Sequence, residues 1–179
     1  MLDEIAAQIR ACTKCRLCQT RANAVPGEGP ADAAIMFVGE GPGANEDAQA
    51  RPFVGRAGQL LNTLLLKADL RRPEVFITNI VKCRPPDNRD PQPDEIEACN
   101  EYLVGQIATI NPAVVCTLGR PAMTTLIGPG LSISKEHGVP REIDGITYVP
   151  LYHPAAALYQ QSLRPVLVED MRRLAQSQE

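Results

Sequence analysis

The apolar run Ala33-Ala34-Ile35-Met36-Phe37-Val38 stops abruptly at Gly39-Glu40-Gly41-Pro42-Gly43-Ala44-Asn45-Glu46-Asp47, a turn holding three glycines, one proline and three carboxylates. This junction constrains the fold more than any other stretch. It predicts a buried strand that delivers a tight loop from its carboxyl end, where open α/β sheets keep their sites. Gly39, Gly41 and Gly43 let backbone N–H groups approach a ligand closely, and Glu40 and Glu46 can orient water or accept from a polar edge. Taken alone, the stretch also reads as an ordinary turn with solvated acids, and the remaining chain decides between the two.

The same junction recurs. Val75 to Thr78 is a second apolar run and ends in Asn79-Ile80-Val81-Lys82-Cys83-Arg84-Pro85-Pro86. Ala113 to Leu118 is nearly all apolar, as expected of a central parallel strand. Arg141 to Asp144 and Ile146 to Leu151 form a hairpin turning at Asp144-Gly145, whose second arm is the fourth core strand and delivers Tyr152-His153-Pro154. Helices are expected over Leu2 to Ala11, Arg56 to Asp69, from an Asp94 cap to Ile110, from Gly119 to Ile127, and over Arg164 to Ala175. Such alternation predicts an α/β fold, a three-layer α/β/α sandwich around a mainly parallel four-stranded sheet. In a parallel sheet the strand ends share an edge. Glu40 and Glu46, Asn79 and His153 should therefore converge, and acid, amide and imidazole together suit a small polar ligand.

With 179 residues, 44% hydrophobic and 22% charged, the chain is expected to form a single domain, 1–179, with a real core. The segment 1–30 should pack on it. No run is long enough to span a bilayer, and the first residues carry charges and cysteines, so a cytoplasmic protein without a membrane partner is expected. A net charge of −3 does not mark the whole surface for nucleic acid, so any DNA-binding face must be local. The six cysteines are Cys12, Cys15, Cys18, Cys83, Cys99 and Cys116. In a reducing compartment metal or cluster ligation is favoured over disulfides. Cys12 and Cys15 make a C-x-x-C pair, and with Cys83 and Cys99 they suit a structural zinc or a four-iron, four-sulfur cluster. Cys83 and Cys99 could instead be unrelated buried thiols, and Cys18 could replace Cys15. Cys116 belongs to the core.

The assembled motifs resemble those of the family 4 uracil-DNA glycosylases, the thermostable iron–sulfur type. They are C-T-K-C-R-L from Cys12, V-G-E-G-P-G from Val38, R-P-F-V-G-R-A-G-Q-L-L-N from Arg51, I-T-N-I-V-K-C-R-P-P from Ile77 and H-P from His153. The resemblance implies excision of uracil from single- or double-stranded DNA by a monomer, with Cys12, Cys15, Cys83 and Cys99 holding a four-iron, four-sulfur cluster remote from the chemistry. It implies that Gly39, Gly41, Pro42, Gly43, Phe53, Asn79 and His153 surround the flipped base. Asn79 would read uracil N3–H and O4, Phe53 would stack on the base, and His153 would donate to O2 as charge develops. Glu40 and Glu46 are the candidates for handling water.

The chain departs from that family's pattern in places. Gly41 stands where the best-known uracil-DNA glycosylases have an aspartate, so leaving-group stabilisation should dominate. The segment Pro154-Ala155-Ala156-Ala157-Leu158-Tyr159, read as a loop, lacks the serine that often follows H-P and leaves only Leu158 or Tyr159 as a wedge. Arg84 to Gln92 lacks the histidine-containing insertion of related proteins that attach covalently to DNA. His137, in Lys135-Glu136-His137-Gly138, reads as a solvated residue or a phosphate neighbour. A uracil-DNA binding protein without efficient turnover, or an iron–sulfur redox or sensor protein, are the alternatives.

Overall fold

The computed structural model describes residues 1–176. Strands β1 (Ile35–Gly39), β2 (Phe76–Asn79), β3 (Val114–Leu118), β4 (Arg141–Ile143) and β5 (Ile146–Leu151) form one sheet in the order β2-β1-β3-β5-β4. All neighbours are parallel except the β4–β5 hairpin. The sheet therefore has five strands where four were expected. The first arm of the hairpin pairs along Arg141–Tyr148 to Ile143–Ile146 and becomes an antiparallel edge.

Side chains alternate across the sheet, as a pleat requires. Ile35, Phe37, Ile77, Cys116 and Val149 face one layer made by α3 (Arg56–Lys67) and α8 (Leu163–Gln176), through Leu61, Leu64, Leu65, Leu167 and Met171. Met36, Val38, Phe76 and Val115 face the other, where α4 (Pro93–Ile110) and α5 (Arg120–Leu126) supply Leu103, Ile107, Ile110 and Ala122. Cys116 is fully buried in this core.

The N-terminal helix α1 (Leu2–Arg10) lies on α4, and Ile9, Leu17 and Ala24 pack with Val81, Cys83, Cys99 and Tyr102 as a third apolar cluster. Polar ties fix the rest of this segment. The buried Asp47 carboxylate accepts from the N–H groups of Ala22 and Asn23 at 2.9 and 3.2 Å. Glu28 and Ile77 form an isolated antiparallel bridge.

Three local readings need correction. The stretch after Gly43 contains a short helix, α2 (Ala44–Gln49), and residues 133–136 form another, α6 (Ile133–Glu136). Pro154 to Tyr159 is helical too, as α7, because the His153 side chain caps it and Pro154 fits its first turn. Finally, α4 is capped by Gln92, with a capping box to Glu95, rather than by Asp94. Pro93 fits the first helical position, and Asp94 instead pairs with Arg16. Among the described residues no helix is long and apolar enough to cross a membrane.

Candidate functional site

The carboxyl ends of β1, β2 and β5 bring Gly41, Glu46, Phe53, Ala57, Asn79 and His153 around one small recess. Gly39 and Asn79 are direct neighbours in the β1–β2 ladder. A Cβ at Gly39 would lie 2.5 Å from Asn79 Oδ1 and 2.6 Å from the Phe53 ring, so glycine alone allows amide and ring to close on each other here. Phe53 is buried with a φ of 48°, a left-handed conformation that costs a non-glycine residue energy and needs outside support. Arg72 supplies it. Its guanidinium donates to the carbonyls of Pro52 and Phe53 and to Asn62 Oδ1, while Glu28 binds it at 3.0 Å.

Asn79 is 2% exposed, and its Oδ1 has no hydrogen-bond partner. A buried acceptor left unpaired costs about 1–3 kcal/mol, so this atom is set to receive a donor. The His153 ring lies 5.6 Å from the Phe53 ring, tilted by 31°. Its Nδ1 accepts the Ala155 N–H at 3.0 Å, which places the proton of the neutral ring on Nε2. Protein atoms wall the imidazole in, and burial pushes its pKa down to about 4. It is a neutral donor at physiological pH.

The two glutamates separate. Glu46 lines the recess, its Oε2 accepting the Gly55 N–H at 3.1 Å. Glu40 is not among the lining side chains. It sits beside Asp90, and burial with that second carboxylate pushes its pKa up to about 7. Buried Pro42 shapes the turn between Gly41 and Gly43, and a Cβ at Gly43 would come 3.2 Å from Glu46 Oε1. His137 lies away from this group. It binds the buried Asp170 at 2.8 Å and stacks 5.0 Å from Tyr152, so it is an anchored residue and not simply solvated.

A second recess is lined by Ile9, Cys12, Lys14, Cys15, Lys82, Cys83, Ala98, Cys99 and Tyr102. Four thiols therefore meet where α1, α4 and the β2 exit pack, and Cys18 does not line this space. All six cysteines are free thiols. Three of the four sulfurs accept hydrogen bonds: Cys83 from Arg21 Nη1 at 2.9 Å, Cys99 from the Lys82 N–H at 3.3 Å and Cys12 from the Lys14 N–H at 3.5 Å. Burial raises the pKa of Cys83 and pushes that of Cys99 up to about 11. Among the described residues no three His, Cys, Asp or Glu side chains are close enough for a single metal ion. Four thiols around one apolar recess, three of them accepting hydrogen bonds at sulfur, are a donor set that fits a thiolate-ligated metal centre.

Sequence reasoning passed over Arg72, Arg21 and Asp90, whose partners lie far along the chain, and Lys82, whose network joins nearby Thr78 and Asn79 to distant Gln106. One cue was present for Lys82, a charged residue in the otherwise apolar Ile80-Val81-Lys82-Cys83.

The family model described as the uracil DNA glycosylase superfamily matches residues 26–175, the span that carries the glycine-rich turn, the aromatic wall, the amide and the imidazole of this sheet edge. A Type-4 uracil-DNA glycosylase of Saccharolobus solfataricus is 50% identical over 185 residues, spanning 98% of this chain and 86% of that protein. One from Thermotoga maritima is 44% identical over 177 residues, spanning 97% and 92%. A Type-5 uracil-DNA glycosylase of Thermus thermophilus is 35% identical over 121 residues, only 59% of this chain and 55% of the relative. The chain belongs to the type-4 family of this superfamily.

Proposed function

We propose that the chain is a DNA-repair enzyme that extrudes uracil from DNA and hydrolyses its N-glycosidic bond, leaving an abasic site. The observation that carries this is the buried, unpartnered Asn79 Oδ1 facing a recess closed by Phe53 and His153. A flipped uracil stacks on Phe53 and presents its Watson–Crick edge to Asn79. The amide oxygen accepts N3–H and the amide nitrogen donates to O4. Cytosine offers the reverse pattern and leaves both buried partners unpaired, a penalty of about 1–3 kcal/mol each.

As the glycosidic bond breaks, the base gains negative charge and the sugar positive charge. His153 Nε2–H donates to O2 of the departing uracil, a donor preorganised by its Nδ1 contact with Ala155. A neutral imidazole is the right form, because it strengthens its bond as charge develops without itself needing to ionise. Water then adds at C1′. Gly41 places no carboxylate over that carbon, and Glu40, beside Asp90, serves as a weaker, pH-dependent aid to the water. Glu46 holds the Gly55 amide and so shapes the floor under the base.

Cys12, Cys15, Cys83 and Cys99 fit a four-iron, four-sulfur cluster, which would supply a rigid structural centre and no step of the reaction. Arg21 donates to Cys83 and to the carbonyls of Arg10 and Cys12, tying the N-terminal segment to the recess.

The test is single-turnover base release from single- and double-stranded DNA containing one uracil, read as an alkali-cleavable site and as free uracil. Release of uracil far faster than release from the cytosine counterpart is expected. A covalent protein–DNA band on a denaturing gel without free uracil would replace turnover by trapping.

A further inference from the structure

Lys82 is 1% exposed and has no carboxylate partner among the described residues. Its ammonium instead donates to three neutral oxygens: Thr78 Oγ1 at 2.6 Å, the Asn79 carbonyl at 2.8 Å and Gln106 Oε1 at 2.7 Å. A buried cation without a counter-ion is costly, and a fold keeps one where its three donors hold something in place. The second row of this network is also saturated. Thr78 Oγ1 and Gln106 Nε2 both donate to the Pro26 carbonyl, at 2.9 and 2.7 Å.

What the network holds is the last residue of β2. The Asn79 side-chain oxygen has no partner among the described residues, so no side-chain contact at that atom fixes the direction of the amide. Its direction follows from the main chain at the end of the strand, where the Asn79 carbonyl takes the Lys82 ammonium. The Lys82 backbone also reaches the second recess: its N–H donates to Cys99 Sγ at 3.3 Å, and its carbonyl accepts the Val25 N–H at 2.7 Å.

We infer that Lys82 is the positioning residue for uracil recognition, its ammonium fixing the end of β2 so that the Asn79 amide meets the base edge in register, with its backbone anchored to the cysteine recess. This rests on the reading of Asn79 as the residue that recognises uracil.

The experiment uses Lys82→Met, which keeps the length of the side chain and removes its donors, in the full-length protein as purified. Visible absorbance and thermal melting report the cysteine centre and the fold. Inhibition by free uracil, the ratio of uracil to cytosine release, and separate kcat and KM values report recognition. A residue that orients a hydrogen-bonding reader should weaken uracil inhibition about tenfold or more and lower the uracil-to-cytosine ratio by a similar factor, with KM affected more than kcat. Unchanged uracil inhibition and base ratio in a folded, coloured Lys82→Met protein would overturn the inference. If that variant does not fold, Gln106→Leu decides it by the same readouts, since it removes one acceptor of the network without touching the neighbour of Cys83. Weakened uracil inhibition supports the proposal there, and unchanged inhibition ends it. Wild-type protein and Asn79→Ala run alongside. Failure of uracil to bind the wild type, or full binding by Asn79→Ala, would strike the reading of Asn79 instead.

Discussion

At the scale of single residues, the chemistry rests on which group stabilises charge and which handles water. Losing one preorganised donor to a developing anion costs about 10²–10³ in rate, roughly 3–4 kcal/mol. His153→Ala should therefore lose at least that factor in single-turnover release from single-stranded DNA, and Glu40→Ala should lose less. The pH profile separates the two roles. With its pKa pushed down to about 4, His153 stays neutral through the physiological range and contributes no limb there. Glu40, pushed up to about 7, is protonated below that pH, so any help it gives water grows as pH rises through 7. The expected result is a shallow rising limb near pH 7 that vanishes in Glu40→Gln while most of the rate survives. A Glu40→Ala loss larger than that of His153→Ala would invert the assignment. These residues were legible in the sequence because each ends an apolar run. Asp90 beside Glu40 and Arg72 beneath Phe53 were not, since their contacts span about 50 and 20 residues of chain and follow from no local pattern.

At the scale of elements, strands were easier to read than the short helices between them. An apolar run bounded by glycine or proline declares a strand, whereas six residues give too few turns for a helical period to show. That is why α7 was read as a loop, although its cap is the imidazole already singled out. The helix also settles which side chain is free. Leu158 is half-buried and packs on the core, while Tyr159, at the helix end, is 91% exposed. Of these two side chains, Tyr159 is the one with its ring exposed, as a wedge into the base stack would need. Tyr159→Ala should leave release from single-stranded uracil-DNA within about twofold and lower release from duplex roughly tenfold, the scale of one lost stacking contact. Equal losses on both substrates would place Tyr159 elsewhere in the reaction. The fifth strand was read as the first arm of the hairpin but not counted in the sheet. Arg141 to Ile143 is short and polar at an edge, as edges that avoid pairing with other chains often are.

At the scale of the whole molecule, the cysteine recess lies where three distant parts of the chain meet: α1 with the turn after it, the exit of β2, and α4. The C-x-x-C pair announced itself in the sequence, but the choice of Cys83 and Cys99 as its partners depends on how β2 and α4 pack, which spacing cannot give. Ile9, Leu17 and Ala24 hold the recess by apolar contact and Arg21 by its hydrogen bonds to Cys83 and to the Arg10 and Cys12 carbonyls, whereas the ion pairs near it, Lys14–Glu101 and Arg16–Asp94, are exposed and contribute little. A cluster held by all four thiolates would add binding energy between the N-terminal segment and the sheet, as metal centres do in small modules. Protein prepared without oxygen should then be brown and contain iron and acid-labile sulfide. Cys83→Ala or Cys99→Ala should lose the colour and melt at lower temperature, with residues 1–30 becoming the first site of proteolysis. Cys116→Ala should keep the colour, because that thiol is buried in β3 far from the recess, and Cys18→Ala should keep it because Cys18 does not line the space. Stoichiometric zinc with no iron in the anaerobic protein would remove the cluster from this account. It would leave the reading of the uracil site standing, since no residue lining that site also lines the cysteine recess.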